Sequence, residues 1–343
     1  MGVTRLDGII TGHDRWGLAS GSRSSTVSRA NSNAMESKRD KTLASRVVGP
    51  HTVAWAAWRE LPRPQRQRIG RYVVFVAVAA LLFIQPLVAL MWHAAQNDLH
   101  SHIPLVPLVA GYLLYVQRRP PVAAYRTSIG GTVLLASLGL AALAAAISWR
   151  GSLSMNDELA LMALAFVSVV AAGGFLFLGS KWMAAAAFPF SFLIFMVPMP
   201  DRMIAWLETA SMLASADVAA AFFKMTGTPL LREGTVFTLP GIVLQVAREC
   251  SGIRSSWVLF ILSLVASQLF LKSPWRRVVL VAFVIPLGIV RNGFRVLVIG
   301  LLCVHVGPHM SDSPIHHYGG PLFFVLSLGP LFLFLWWLQR KEQ

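Results

Sequence analysis

Residues 277–302 read RVVLVAFVIPLGIVRNGFRVLVIGLL, an apolar run that contains two internal arginines, Arg291 and Arg295. A helix needs about 20 apolar residues to cross a bilayer, so this run predicts a transmembrane helix. The two arginines are four residues apart and therefore share one helix face. Because a charged side chain inside a span is costly, such residues usually mark a functional site. This run thus predicts an integral membrane protein and indicates where its chemistry lies.

Further apolar runs indicate a chain that crosses the membrane several times. The candidate spans are 72–92, 103–117, 128–148, 158–178, 182–199, 255–271, 277–302 and 319–338. Of the 343 residues, 55% are hydrophobic and 13% are charged, whereas soluble proteins have about 25% charged residues. The predicted fold class is an all-α, polytopic integral membrane protein with about eight transmembrane helices. The composition excludes an ordinary cytosolic enzyme, a disordered chain and, with two cysteines, a disulfide scaffold.

The placement of the basic residues predicts the orientation of the spans. The net charge is +15, and residues 1–70 are rich in Ser and Arg, without a hydrophobic period or a signal-peptide pattern. We expect them to form a disordered basic cytoplasmic tail before a membrane domain at 71–343. Other basic residues lie at 118–126, 181, 272–277 and 340–341. Eight spans put these on one side, so we expect both termini in the cytoplasm and no nucleic-acid partner.

One long stretch, about 200–254, remains on the outer side of this topology. Its first part, 203–225, is amphipathic at helical spacing, and we expect it to lie along the outer interface. Its second part, 227–241, contains Pro229, Gly234 and Pro240 around an alternating TVFTL run, which is typical of a short hairpin or re-entrant segment. The sequence therefore predicts an amphipathic and hairpin excursion before the sixth span.

Cys250 is the first candidate for chemistry. It lies near the start of the sixth span, between Arg248 and Arg254. The unpaired N–H groups and the dipole of a helix N-terminus, together with two cations, favour a thiolate. A buried structural cysteine is the alternative interpretation of the same residue.

Histidines after the seventh span supply a candidate base. Histidine is the default general base near neutral pH. The loop contains His305, His309, Asp312, His316 and His317. The i, i+4 spacing of its first two histidines leaves a zinc site open, but the chain has no HExxH motif, and we expect neither a metal nor a cofactor. Cysteine, arginine and histidine on one membrane face suffice for acyl transfer. A transporter with an arginine-lined substrate path is the alternative.

Several motifs follow one another from the second span to the last. They are SHIPLVP (101–107), FPF (188–190), FMVPMP (195–200), REG (232–234), LPG (239–241), ECSGIRS (249–255), NGFR (292–295) and HHYGG (316–320). In this order, and over about residues 72–340, they resemble the exosortase/archaeosortase family of multi-span membrane cysteine transpeptidases.

The resemblance implies a role for individual residues. Cys250 would be the nucleophile, and Arg295 would stabilise the thiolate or the oxyanion. His316 would be the general base and acid, with His317 as the second choice. The expected substrate-binding residues are Arg248, Arg254 and Asn292.

The resemblance also implies a substrate class and a location. Its members are expected to cleave exported proteins that end in a short motif, often Pro-Glu-Pro, one transmembrane helix and a basic tail. Cleavage through a thioester would be followed by transfer to an amine or to water. We therefore expect a cysteine-type peptidase in the cytoplasmic (inner) membrane, with its active site on the extracytoplasmic face. Its partners would be these exported proteins, an amine acceptor and the lipid bilayer.

Reporter fusions test the topology. Fusions after Asn97, near Gly234 and near Ser311 should report the extracytoplasmic side, whereas fusions after Arg119, at Ser273 and at the C-terminus should report the cytoplasm. Paired phosphatase and fluorescent reporters measure this. Opposite sides for the Gly234 and Ser311 fusions would separate Cys250 from His316 and contradict the mechanism.

Overall fold

The computed structural model describes residues 62–116, 126–246, 252–307, 309 and 314–342, with only the backbone for 314–319. The chain divides into Met1–Gln67 and Arg68–Gln343. In the first unit the structure describes 62–67, and α1 begins there, at Arg63 rather than near residue 71. The remainder of the expected cytoplasmic tail lies outside the described residues.

Helices dominate the described chain, and one small sheet precedes the ninth of them. The helices are α1 (Arg63–Leu82), α2 (Ile84–Gln96), α3 (Leu105–Val116), α4 (Ile129–Ser148), α5 (Met155–Phe177), α6 (Ser180–Ala185), α7 (Ala187–Phe192), α8 (Asp201–Met225), α9 (Ile253–Phe270), α10 (Pro274–His305) and α11 (Pro314–Arg340). The strands are β1 (Leu231–Glu233), β2 (Val236–Leu239) and β3 (Ile242–Gln245). A 3₁₀ turn, Leu193–Met196, follows α7.

Five helices in the described residues are long and apolar enough to span a membrane. They are Ile129–Ser148, Met155–Phe177, Ile253–Phe270, Pro274–His305 and Gly320–Arg340. Two bent helix pairs raise the number to seven if each pair forms one span. Helix α3 is apolar but shorter. The structure thus supports a polytopic helical membrane protein, and the number of eight spans stays a prediction.

The expected first span, 72–92, consists of two helices instead of one. Helices α1 and α2 meet at Phe83 with a bend of 74°. Pro86 is the physical reason, because its ring cannot pack against the carbonyl of the residue four positions earlier, Leu82, where α1 ends. The hydropathy of the run predicted its apolar character but not this break.

The expected span 182–199 is also interrupted. It contains α6, α7 and the 3₁₀ turn, and α6 ends at Ala185, four residues before Pro189. The α7–3₁₀ segment then meets α8 at 92°. Helix α8 corresponds to the amphipathic segment predicted over 203–225, and its buried residues are Ser215, Ala216, Ala219, Ala220 and Phe223.

The predicted hairpin is present and is extended by a third strand. The antiparallel sheet has the order β1-β2-β3, with Glu233 opposite Val236 and Leu239 opposite Ile242. The turn between β2 and β3 is formed by Pro240 and Gly241, whose φ is +79°. Proline followed by a glycine with positive φ is the pattern of a type II turn.

Helix α10 lies between two groups of buried apolar side chains. The first group, called the sheet cluster, joins α8, the sheet and α10. It comprises Ala216, Ala219, Ala220, Phe223, Phe237, Leu239, Val246, Val296 and Leu297. The second group joins α9, α10 and α11 through Leu259, Ala266, Leu271, Leu280, Val284, Leu331, Leu335 and Leu338. Since apolar burial is the main stabilising term, α10 is the element on which both halves of this region depend.

Glycine at position 293 permits a close contact between α10 and α8. A Cβ atom there would lie 2.7 Å from Val218 Cγ1 and 3.1 Å from the backbone nitrogen of Ala219. The second contact is with backbone, so a larger residue must push the two helices apart.

Gly293→Ala should therefore destabilise the protein by about 1–3 kcal/mol, the usual cost of overpacking. The matched control is Gly130→Ala, because no described atom lies within 4 Å of a Cβ at that helical position. Alanine forms helix better than glycine by about 1 kcal/mol, so the control should keep or raise the Tm. Thermal unfolding in detergent measures both variants, and equal Tm values would contradict the packing argument.

Candidate active site

Gly252 caps the N-terminus of α9 and has a backbone conformation that favours glycine. Its φ is +70°, in the left-handed region. A Cβ at this position would lie 2.9 Å from Asn292 Oδ1 on α10. The Gly252 carbonyl accepts hydrogen bonds from the Ser256 amide at 3.0 Å and from Ser255 Oγ at 3.1 Å. The start of α9 is thus held close to the middle of α10.

Arg291 joins the two helices at this point. Its Nη2 donates hydrogen bonds to the Gly252 carbonyl and to Ser256 Oγ, each at 3.0 Å. The side chain is buried, with 7% of the residue exposed. Its Nη1 is also buried and has no hydrogen-bond partner within the described part of the chain. Because Gly288 has no side chain, Ser256 fits into this interface; a Cβ at Gly288 would lie 2.7 Å from Ser256 Oγ.

The residues after Arg291 contact different neighbours. Asn292 is 2% exposed and faces Gly252, and Gly293 faces α8. The Phe294 ring meets the edges of Phe222 on α8 and Phe323 on α11, at centroid distances of 6.4 and 6.3 Å. This turn of α10 therefore contacts α8, α9 and α11.

Arg295 lies one helical turn beyond Arg291 in different surroundings. It is half-buried, whereas Arg291 is buried, and the two positive charges repel one another. The sequence placed both arginines on one helix face but could not distinguish them. The structure assigns the contact with the start of α9 to Arg291, a residue that the resemblance did not single out.

Cys250 and Arg248 lie outside the described residues, and the structure describes the chain on either side of them. The chain before them ends at Val246, a member of the sheet cluster together with Val296. The chain resumes at Gly252, against Asn292. Segment 247–251 thus follows a residue of the sheet cluster, to which α10 contributes Val296 and Leu297, and precedes a residue in contact with Asn292.

His316 and His317 lie in the first turn of α11, and the structure describes only their backbone. Helices α10 and α11 are antiparallel, because Phe294 packs on Phe323 and Phe283 on Phe334. In this register residue 316 lies near the level of residue 301, about 9 Å along the axis from Arg295. A contact between Arg295 and His316 therefore stays a prediction.

The zinc alternative depended on the loop histidines. His305 and His309 are both exposed. Within the described residues, no three His, Cys, Asp or Glu side chains are placed to share a metal ion. Asp312 lies outside the described residues, and the side chains of His316 and His317 are not described.

Arg254 forms an ion pair with Asp98. The distance from Arg254 Nη1 to Asp98 Oδ2 is 3.0 Å, and both side chains are exposed. Asp98 belongs to segment 97–104, which links α2 to α3. The His102 ring of the same segment lies 6.4 Å from the Trp257 ring on α9. The 97–104 segment is thus a neighbour of the first turns of α9.

A buried polar group beside this segment was not predicted from the sequence. The His93 and His100 rings lie 5.4 Å apart. His100 is 1% exposed, and neither of its ring nitrogens has a hydrogen-bond partner among the described residues. Asn156 donates hydrogen bonds to the Met199 carbonyl and to Asp201 Oδ1, both at 2.8 Å. The only sequence signal was the presence of polar residues at the ends of apolar runs that lie far apart along the chain.

Burial is the main influence on the two histidines of this segment. Together with His93 and His102, it lowers the pKa of His100 to about 4, while Asp201 acts in the opposite direction. Burial also lowers the pKa of His102, against a hydrogen bond with the Leu99 carbonyl. Both rings are therefore neutral in the folded protein at pH 7.

This burial predicts a loss of stability in acid. His100 has a pKa of about 4 when folded and 6.5 when exposed, so the unfolded chain binds the proton more readily. Its contribution is complete above pH 6.5 and is lost as the pH falls towards 4. We expect the Tm in detergent to decrease by about 5 °C between pH 7 and pH 5 from this group. His100→Phe should flatten that dependence, and an unchanged slope would contradict the assignment.

A family sequence model matches the part of the chain that contains the candidate site. The sequence model of the family described as transmembrane exosortase matches residues 92–333. This range includes the start of α9, the Asn292–Arg295 turn of α10 and the start of α11. No curated protein and no solved structure matches the chain. Because the match covers about 70% of the 343 residues, the protein belongs to the transmembrane exosortase family of multi-span, protein-sorting membrane transpeptidases.

Proposed function

We propose that this protein is a cysteine-type membrane transpeptidase that cleaves the C-terminal sorting signal of exported proteins. The supporting observation is that segment 247–251, which contains Cys250, is followed directly by Gly252, which contacts Arg291 and Asn292 on α10. Family membership supports the protein-sorting activity, and this arrangement supports Cys250 as its nucleophile.

Covalent geometry limits how far Cys250 lies from the arginine helix. Gly252 is two positions after Cys250 along the chain, so the two Cα atoms are within about 7 Å of each other. Gly252 itself is in contact with Asn292 and Arg291. The N-terminus of α9 and nearby guanidinium groups both favour the thiolate over the thiol.

The reaction proceeds by acyl transfer in two steps. The Cys250 thiolate attacks the scissile carbonyl carbon, and Arg295 stabilises the negative charge that develops on the oxygen. The carbon–nitrogen bond breaks, the departing amine takes a proton from His316, and a thioester remains on Cys250. An amine acceptor or water, deprotonated by His316, then attacks the thioester and releases the thiolate.

Helical periodicity favours His316 over His317 as the base. His316 precedes Phe323 by seven residues, or about 700°, and therefore lies within about 20° of it around α11. His317 precedes Phe323 by six residues and lies about 120° away. Since Phe323 packs against Phe294, next to Arg295, this spacing supports His316 as the proposed base.

The expected binding residues fall in different places relative to this site. Asn292 is beside Gly252, and we propose that it orients the peptide near the nucleophile. Arg254, exposed and paired with Asp98, belongs to the rim, while Arg248 lies outside the described residues. The proposed substrates carry a short motif, a transmembrane helix and a basic tail. The proposed location is the inner membrane, with the site on the extracytoplasmic face and both termini in the cytoplasm.

The three catalytic residues should behave as a unit. Cys250→Ala, Arg295→Ala and His316→Ala should each lower substrate maturation by about 10³-fold or more, because the groups act on the same transition states. Loss of the substrate's C-terminal helix, followed on a gel, measures maturation, and immunoblotting of the membrane fraction checks that each variant accumulates.

Two control variants make this test specific. Cys303 is buried on α10, 2% exposed, and lies about 80° around the helix from Arg295, so Cys303→Ala should retain maturation. His317→Ala should also retain it. Normal maturation by Cys250→Ala would refute the cysteine mechanism and favour the transporter alternative.

A further inference from the structure

The ends of three candidate spans meet at the opposite end of α9 from Gly252. Loop 271–273 joins the end of α9 to the start of α10, and α11 ends at Arg340. The Glu342 carboxylate accepts hydrogen bonds from the backbone N–H groups of Lys272 and Ser273, at 2.8 and 2.9 Å. This contact holds the chain after α11 against the loop. The three helix ends therefore form one surface, called the basic end.

The positive charge of the basic end exceeds the negative charge that the described residues supply. Its cations are Lys272, Arg276, Arg277, Arg340 and Lys341, whereas Glu342 is the one acidic side chain described there. Arg276 lies 3.6 Å from that carboxylate, and Arg277 donates hydrogen bonds to the Leu271 carbonyl and to Gln268. The side chains of the other three cations form no ion pair within the described part of the chain. This surface is therefore complementary to an anion.

Tryptophans lie beside these cations. The Arg340 guanidinium carbon is 4.1 Å from the centre of the Trp336 ring, and Lys341 Nζ is 4.0 Å from the centre of the Trp337 ring. Both rings are about half exposed, and Trp275, in the first turn of α10, is 71% exposed. Tryptophan is enriched at the level of lipid headgroups, where its ring contacts apolar groups and its N–H contacts polar ones.

The order of side chains at the end of α11 matches the layers of a phospholipid. Leu333, Trp337 and Lys341 follow one another at intervals of four residues and therefore share a helix face. Over about 12 Å along the axis, this exposed face changes from aliphatic to aromatic to cationic. Acyl chains, the headgroup boundary and a phosphate group follow in the same order. A small soluble anion would engage only the cationic layer.

We propose that the basic end binds an anionic phospholipid, with the negative headgroup on its cations and the acyl chains along the exposed apolar faces of α10 and α11. The inference does not depend on the proposed enzymatic activity. Arg276 precedes Arg291 by fifteen residues, or about 22 Å along α10, so this lipid binds far from the candidate active site. In the proposed topology the basic end lies in the cytoplasmic leaflet, whose anionic lipids attract basic segments.

Lipid retention measures this binding. The full-length protein is placed in nanodiscs of equal parts phosphatidylcholine and phosphatidylglycerol and then extracted, and native mass spectrometry counts the lipids that remain bound. A basic residue near an anionic surface contributes about fivefold in affinity. The protein should therefore retain phosphatidylglycerol about tenfold or more over phosphatidylcholine. A triple variant, Lys272→Gln, Arg340→Gln and Lys341→Gln, should lose this preference.

A second triple variant with the same loss of charge is the matched control. Arg63→Gln, Arg66→Gln and Arg71→Gln remove three cations from α1, a helix that contains no tryptophan. This control should keep the preference for phosphatidylglycerol, because its basic end is intact. Trp275→Ala removes no charge but should lower retention about threefold. Equal losses in the two triple variants would show that surface charge in general attracts the lipid and would overturn the inference.

Thermal unfolding distinguishes a phospholipid from a soluble anion. Phosphatidylglycerol added to phosphatidylcholine nanodiscs should raise the Tm by about 2–4 °C, the shift for a ligand at about ten times its Kd. Glycerol phosphate has the same charged group without acyl chains and should leave the Tm unchanged. Equal shifts from both compounds would indicate a soluble-anion site and contradict the proposal. If the Lys272 triple variant does not accumulate, this comparison and Trp275→Ala decide.

Discussion

The hydrogen bond from Arg291 to the Gly252 carbonyl is the contact on which the site depends. It fixes the N-cap residue of α9 against the middle of α10, and it is possible because residue 252 has no side chain. Arg291 is held in turn by a helix that packs on α8 through Gly293 and on α11 through Phe294. The contact between Gly252 and α10 is therefore supported by packing that involves α8 and α11 as well as α9 and α10.

Much of the candidate site was accessible from the sequence, since its residues are conspicuous in an apolar chain. Polar residues are easy to recognise in mainly apolar surroundings. Here they are the arginines inside a span, the cysteine at the start of a span and the histidines after one. The different contacts and burial of Arg291 and Arg295 could not be predicted from spacing. The four-residue spacing shows that the two residues share a helix face, but it does not show which neighbouring element packs against each of them. The polar group of His93, His100, Asn156 and Asp201 was missed for the same reason, since it is assembled from separate helix ends.

The fold was predictable where one local signal was strong. Apolar runs located α4, α5, α9, α10 and α11, and alternation between glycines and prolines located the hairpin. The prediction of continuous spans over 72–92 and 182–199 was wrong at Phe83 and Ala186, where the helices are interrupted. Hydropathy averaged over a whole span does not reveal such an interruption. Pro86 and Pro189 were visible in the sequence, but a proline in an apolar run can bend a helix or be accommodated, and the surrounding packing decides which. Pro286 is inside α10, which continues to His305.

The two clusters that share α10 have a consequence for biogenesis. Helix α8 and the sheet are synthesised before α10, yet Phe223 and Phe237 belong to the cluster that is closed by Val296 and Leu297. Until the ribosome has delivered α10, these rings lack their final cover, and the start of α9 lacks Arg291. The contact between the start of α9 and α10 is thus completed only near the end of membrane insertion, after most of the scaffold has been synthesised. A nascent or truncated chain that ends before residue 291 carries Cys250 but lacks Arg291, Arg295 and His316 of the candidate site.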